Sequence, residues 1–209
     1  MLKNSLYIYG LVYDTLLEPL LKRWKMRLSS WVKANQPGLT LDICCGTGKQ
    51  CRILSRHSQT VGVDIDLRLL KYAQAVSATV HFVCADAAAL PFKADSFQNA
   101  VISLALHDKP EEKRIAMIEE SKVCLSRSGA LFLLDFMQPN SLRSKIGYAF
   151  IYVIEYFAGR EHFINGRDFV VRGGLLSFTN RHRLTNRKRH HSLWGSTTLV
   201  MLKPDLQQF

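Results

Sequence analysis

A doubly wound α/β domain built on a mostly parallel sheet is the fold this sequence predicts, and three observations carry the prediction. Short apolar runs alternate with stretches of helical spacing between residues 39 and 136. A glycine turn, Gly46-Thr47-Gly48, follows the first apolar run directly. A last strand signal stands near the C-terminus, STTLVMLK at 196–203, beyond a long helical stretch. Strands that are apolar throughout are covered on both faces, and strands alternating with helices make a parallel sheet.

The elements follow in order. Residues 5–33 read as helix, because Leu6, Tyr9, Tyr13, Leu16, Leu17, Leu20, Leu21 and Trp24 recur at three- and four-residue steps. Pro37-Gly38 breaks that pattern, LTLDICC is a strand, and a helix starts near Gln50. TVGVD (60–64) is a strand, Leu67–Val76 a helix, TVHFVCAD (79–86) a strand and FQNAVISLAL (97–106) another. Glu111–Leu125 is a helix and GALFLLDF (129–136) a strand. Residues 141–172 are helical and rich in aromatic side chains, and Gly173-Gly174 ends them. Two strands around Trp194-Gly195 make a closing antiparallel hairpin.

The 209 residues suffice for one domain, and a composition 47% hydrophobic and 22% charged excludes disordered and collagen-like chains. The five cysteines are odd in number and show no C-x-x-C spacing, so neither a metal site nor a disulfide framework is implied. Cys84, inside an apolar run, reads as a small buried hydrophobe. Reduced thiols point to the cytoplasm. Asp14 and Glu18 interrupt the apolar N-terminus, which argues against a signal peptide. The stretch Ile146–Ala158 is shorter than the roughly 20 residues a span requires and contains Glu155. Charge is uneven: residues 142–191 hold ten Lys and Arg against three acids, within a net charge of +11. Such an excess suits an anionic surface, an acidic substrate or a plain solvated face.

The chemistry concentrates in LDICCGTGK, 41–49. Gly46 and Gly48 let the backbone turn tightly and approach a ligand with no Cβ in the way. Asp64 ends the second strand 22 residues after Asp42, near the spacing at which an acid meets ribose hydroxyls in nucleotide folds. Asp66 is its rival, and Asp64 is preferred because it closes the apolar run. Asp86 ends the third strand. Three acids at three strand ends form an acidic rim that repels phosphate and suits a cationic adenosine cofactor. A nicotinamide dinucleotide would call for G-x-G-x-x-G, and Cys51 stands where the third glycine belongs.

These residues resemble the class I S-adenosylmethionine methyltransferases, most closely the branch that includes the ubiquinone and menaquinone biosynthesis enzymes. LDICCGTG resembles the first motif of that family, VGVDIDLRLL its second-strand acid, CADAAALPFKADSFQNAVISLALHD its third and fourth strands, and LSRSGALFLLDFMQP its fifth. The resemblance implies a Rossmann-like, seven-stranded sheet in a single domain over 1–209. Within it, 1–36 would be the N-terminal lid region, 37–140 the cofactor-binding core, 141–175 a helical substrate cap and 176–209 the closing hairpin. It implies S-adenosylmethionine as cofactor. Asp42 with the Gly46/Gly48 turn would hold its amino-acid end, Asp64 its ribose and Asp86 its adenine amine. Ile65 and Ala87 would flank the ring, Ser103 would lie beside the methionine portion, and Tyr13 would face the cofactor from the lid. Cys44 is a departure, since many members carry glycine there.

Methyl transfer by in-line displacement needs positioning and exclusion of water, with no metal. A base helps where the acceptor loses a proton; His107, at the end of the fourth strand, and His162 are the candidates. The aromatic stretch implies a small apolar or ring-bearing acceptor, with a lipid-like substrate or a membrane surface as further contact. The chain is expected as a monomer or homodimer. A nucleic-acid substrate is disfavoured, because SLALHDKP lacks the Asn/Asp-Pro-Pro-aromatic motif and the basic run Arg181–His191 lacks interleaved aromatics for stacking.

Overall fold

The computed structural model describes residues 21–191 and 195–203. Its sheet has seven strands in the order β3-β2-β1-β4-β5-β7-β6. These are β1 (Thr40–Ile43), β2 (Thr60–Asp64), β3 (His81–Cys84), β4 (Phe97–Ser103), β5 (Leu125–Phe136), β6 (Asn186–His191) and β7 (Thr197–Leu202). β3 through β5 are parallel, while β7 runs antiparallel to both β5 and β6. The doubly wound sheet and its closing hairpin are therefore as the sequence predicts. The strand order reverses at β1, which pairs with β2 on one side and β4 on the other. In open parallel sheets a ligand crevice forms at that switch point, beyond the carboxyl ends of the strands.

Period-two alternation sorts the strand side chains onto two faces. Val101, Phe132, Leu134 and Leu199 face one side, under Leu28, Trp31 and Val32 of a helix over residues 21–34 (α1) and Leu54 of α2 (Lys49–Leu54). Ala100, Ile102, Leu131, Leu133 and Val200 face the other, under Met117 and Ile118 of α4 (Glu111–Cys124). The same face takes Phe169 of α6 (Arg160–Val171) and Phe178 of α7 (Gly174–Arg181). Helix α3 (Leu67–Ala75) lies beside β2 and β3, and α5 (Leu142–Ala158) packs on α6. Among the described residues, no helix is long and apolar enough to cross a membrane.

Some expectations need correction. The described part of the N-terminal helical region, α1, buries Leu28 and Val32 against the sheet. Residues 174–181 form a helix, so the hairpin begins at Asn186 and not at 176. Cys84 is exposed, because β3 is the outer strand of the sheet and, among the described residues, only one of its edges is paired. The basic run on β6 is partly spent on internal contacts: Lys188 Nζ lies 4.5 Å above the Trp31 ring, and His190 lies against Trp24.

Candidate active site

The turn after β1 places Cys44, Gly46 and Gly48 at φ values of 58°, 53° and 71°. All three are left-handed, the region that favours glycine, so Cys44 carries a strain of about 1 kcal/mol that glycine would not. The two glycines do different work. A Cβ on Gly48 would stand 2.8 Å from the Phe82 ring and 2.9 Å from Ala73, so this residue lets α2 close on its neighbours. A Cβ on Gly46 would meet none of the described residues within 4 Å, so among them the backbone here borders open space.

Asp64 faces that opening. Gly46 N–H donates to its Oδ2 at 2.7 Å and Asp66 N–H to its Oδ1 at 2.9 Å. Its rival is committed elsewhere: Asp66 caps α3 by accepting from Arg68 N–H at 2.8 Å and pairs with the Arg68 guanidinium at 3.0 Å. Asp86 accepts from Ala88 N–H and from Lys113 Nζ, each at 2.9 Å, and these two donors hold its carboxyl below the usual range. Ile65, 65% exposed, is the apolar side chain open at this edge, whereas Ala87 is buried in the core. Ser103 closes β4 and is half-buried. Tyr13 and Tyr9 lie outside the described residues.

Asp42 is placed differently from its neighbours. It is 1% exposed, and its Oδ2 accepts from the Cys51 thiol at 3.0 Å. Burial pushes its pKa up to about 7, against the opposing pull of the Cys51 hydrogen bond and Lys25. A side chain so enclosed braces the turn through the Cys51 thiol. Burial likewise pushes the Cys44 thiol up to about 12, with Lys109 opposing and Asp64 and Asp108 adding to the rise. That mutual influence sets the loop after β4 against the glycine turn. The rim is accordingly mixed in charge rather than acidic: Lys113 pairs with Asp86, and Lys109 pairs with Asp108.

Sequence reasoning missed the buried framework of that loop. Asp135, 0% exposed at the end of β5, accepts from Leu106 N–H at 2.9 Å, from His107 N–H at 3.3 Å and from Phe136 N–H at 2.7 Å. Its Oδ1 lies 2.8 Å from His107 Nδ1. Arg114, also 0% exposed, donates to the carbonyls of Leu106, His107 and Asn165 and stacks 4.7 Å over Phe169. Asn165 in turn donates to the Asp108 carbonyl at 3.0 Å. His107 is 1% exposed and sits inside this framework, so it fits a positioning part better than that of a base meeting an acceptor. His162 packs edge-on to it, is partly open to solvent, and has Nδ1 3.6 Å from Asp108 Oδ2. The other carboxylate oxygen of Asp108 is buried and has no hydrogen-bond partner among the described residues.

Comparison with known proteins places this geometry among relatives. Residues 40–129 match the methyltransferase-domain family. The chain is 27% identical over 124 residues to a demethylmenaquinone methyltransferase of Thermotoga maritima, covering 58% of this chain and 53% of that protein. It is 30% identical over 144 residues to a 2-phytyl-1,4-naphtoquinone methyltransferase of Thermosynechococcus vestitus, covering 64% and 62%. The chain thus spans little more than half the length of these relatives. The crystal structure of an S-adenosylmethionine-dependent methyltransferase from Clostridium acetobutylicum has the same fold, with a TM-score of 0.64 at 12% identity over 94% of this chain and 98% of that one.

Proposed function

We propose that this chain, similar to the methyltransferase-domain family over residues 40–129 and to two quinone methyltransferases, is a class I methyltransferase that transfers the methyl group of S-adenosylmethionine to a small, ring-bearing acceptor of quinone-like character. One observation carries the reading: open space over Gly46, bordered by a carboxylate, Asp64, whose two oxygens are already aimed by backbone N–H groups. Each oxygen retains a lone pair, which suits the two hydroxyls of a ribose. The residues present fit the cofactor. Asp64 would take the ribose, Asp86 the adenine amine and Ile65 one face of the ring. The backbone around Gly46 would line the amino-acid end, with Ser103 at its side.

When bound, the cofactor supplies an electrophilic methyl group on a sulfonium. The chain's own part is to orient the acceptor and keep water out. Residues 141–175 form the acceptor cap in this reading. Tyr148, Tyr152 and Phe163 meet edge-on across α5 and α6, a surface suited to a flat ring. Asp135 and Arg114 fix the loop that carries Asp108 and, through Asn165, the cap helix above it. His162, steered by Asp108, accepts the acceptor's proton. The names of the two relatives, each carrying a quinone, support the acceptor class.

Calorimetric titration with S-adenosylmethionine tests the cofactor assignment, with its demethylated product and NAD alongside. Both adenosyl ligands should bind and NAD should not. Asp64→Ala should weaken binding by about 1.5–3 kcal/mol, on the order of 10- to 150-fold, through lost hydrogen bonds to a charged group. Unchanged affinity in the folded variant would refute the ribose assignment. His162→Gln should lower turnover while leaving cofactor affinity intact, and normal turnover across the pH range would remove it as the base.

A further inference from the structure

The cap has an outer surface that the proposed chemistry does not use. On α5, Leu142, Ile146, Ala149, Val153 and Tyr156 are all exposed. At 3.6 residues per turn they fall within an arc of about 80°, forming one stripe roughly 21 Å long. The large side chains are strongly exposed: Leu142 at 76%, Ile146 at 47%, Val153 at 55% and Tyr156 at 65%. The neighbouring α6 repeats the pattern at Arg160, Ile164, Arg167 and Val171, one face on which cations and apolar groups alternate. A soluble surface tolerates scattered apolar side chains; a continuous helical stripe of them marks a contact.

The charges say what kind. Arg143 and Lys145 stand to either side of the α5 stripe, and Arg160 and Arg167 lie within that of α6. All four are exposed, and none makes an ion pair with a described residue. By contrast, Arg172 and Arg181, further along, are neutralised by Asp168 and Glu111. Of the acids on these two helices whose side chains are described, Asp168 is paired with Arg172 and Glu161 is exposed. A second copy of the chain docked on this face by a two-fold axis would bring like charges together. An anionic headgroup layer over an acyl region meets both features at once: apolar side chains enter the boundary and the cations stay with the phosphates.

We propose that the α5–α6 face docks on an anionic lipid bilayer as a peripheral contact, so that the cap lies against the membrane. The proposal stands on the surface alone and does not require methyl transfer. The test is co-sedimentation of the full chain with phosphatidylcholine vesicles, with and without phosphatidylglycerol. Binding is expected to the mixed vesicles, to weaken as salt rises, and to be weak with phosphatidylcholine alone. Arg143→Ser with Lys145→Ser should lower the partition coefficient about 30-fold. Ile146→Asp with Val153→Asp should abolish binding. Both pairs lie on the surface, and circular dichroism with S-adenosylmethionine titration checks that fold and cofactor site are intact. Because vesicle binding is read without cofactor, its failure is distinguishable from failure of the methyltransferase reading. Vesicle binding unaltered in both double variants would overturn the proposal. So would a lipid-free dimer that Ile146→Asp with Val153→Asp dissolves, while the parent chain ignores vesicles.

Discussion

The carboxyl edge of β1–β3 and the helix pair of α5 and α6 are built from different material. At the edge, geometry is made by backbone: three left-handed residues in one turn and two N–H groups clamped on Asp64. In the helix pair, geometry is made by side chains, with Tyr152 and Phe163 meeting edge-on and a stripe of apolar and cationic groups exposed. A backbone device serves any chain that needs the same ligand, so it is readable from a short motif. A side-chain surface is specific to its acceptor or partner, so it is readable only once the helices are placed. Arg114, Asn165 and Asp135 form the joint between the two regions.

That joint is where the comparison can be broken most decisively. Asp135→Asn leaves one acceptor oxygen for N–H groups that now share two, inside a region closed to bulk solvent. The expected cost is about 3–5 kcal/mol of stability, the range for breaking a buried charged network. Urea unfolding measures it, and a cost below about 1 kcal/mol would mean that the loop after β4 is held by packing instead.

Asp42 comes next. A buried carboxyl raised from 3.8 to about 7 binds its proton more tightly in the folded state than in the unfolded one. Its contribution is therefore fully present below pH 3.8 and is lost as pH rises to about 7. The loss reaches roughly 4 kcal/mol by linkage. Asp42→Asn, which keeps an acceptor for the Cys51 thiol, should match the parent chain near pH 4 and exceed its melting temperature increasingly up to pH 8. An equal difference at every pH would show that the folded carboxyl is already ionised.

What the sequence disclosed and what it withheld divide along the same line. The glycine turn, the acid that ends β2 and the acid two residues beyond β3 were legible because their constraints are local. A φ above zero selects glycine, and a strand that stops at an acid presents it at the edge. Asp64 was separable from Asp66 by where the apolar run ended, and the capping bond to Arg68 agrees. Arg114 and Asp135 gave no signal, since a charged residue in a helix or strand reads as surface unless its partner is known. Those partners lie on other elements. Helix α7 did leave a trace, Leu175 and Phe178 three residues apart and both buried, but the preceding glycine pair masked it as a loop.

Smaller effects follow from the unlike glycines of the turn. Gly48→Ala drives a Cβ to within 2.8 Å of the Phe82 ring at a φ of 71°, and should cost roughly 2 kcal/mol from overpacking and strain together. Gly46→Ala carries the strain alone, about 1 kcal/mol, since none of the described residues lies within 4 Å of the new methyl group. In cofactor affinity the ranking reverses: Gly46→Ala fills the space that the ligand would occupy, whereas the Gly48 methyl group points into the protein. Thermal melting and calorimetric titration of the two variants separate these effects, and parallel losses in both measurements would merge the two roles.

The smallest effect leaves stability untouched and tests the placement of β3. An apolar run suggested that Cys84 is enclosed, yet the outermost strand of a parallel sheet has one face or edge in water whatever its composition. The other four thiols lie wholly or partly inside, and burial pushes Cys44 up to about 12 and Cys124 up to about 11, so neither forms a thiolate at neutral pH. The Cys84 thiol makes one long contact, 3.6 Å to the Ile65 carbonyl, which reagent can displace. A limiting amount of maleimide on the native chain should therefore modify Cys84 first, as read by peptide mass mapping. Because Ile65 borders the proposed adenine site, S-adenosylmethionine should slow that reaction. Preferential labelling of Cys45 or Cys51 would mean that the turn opens in solution, and the contrast between a fixed edge and an adaptable cap would have to be redrawn.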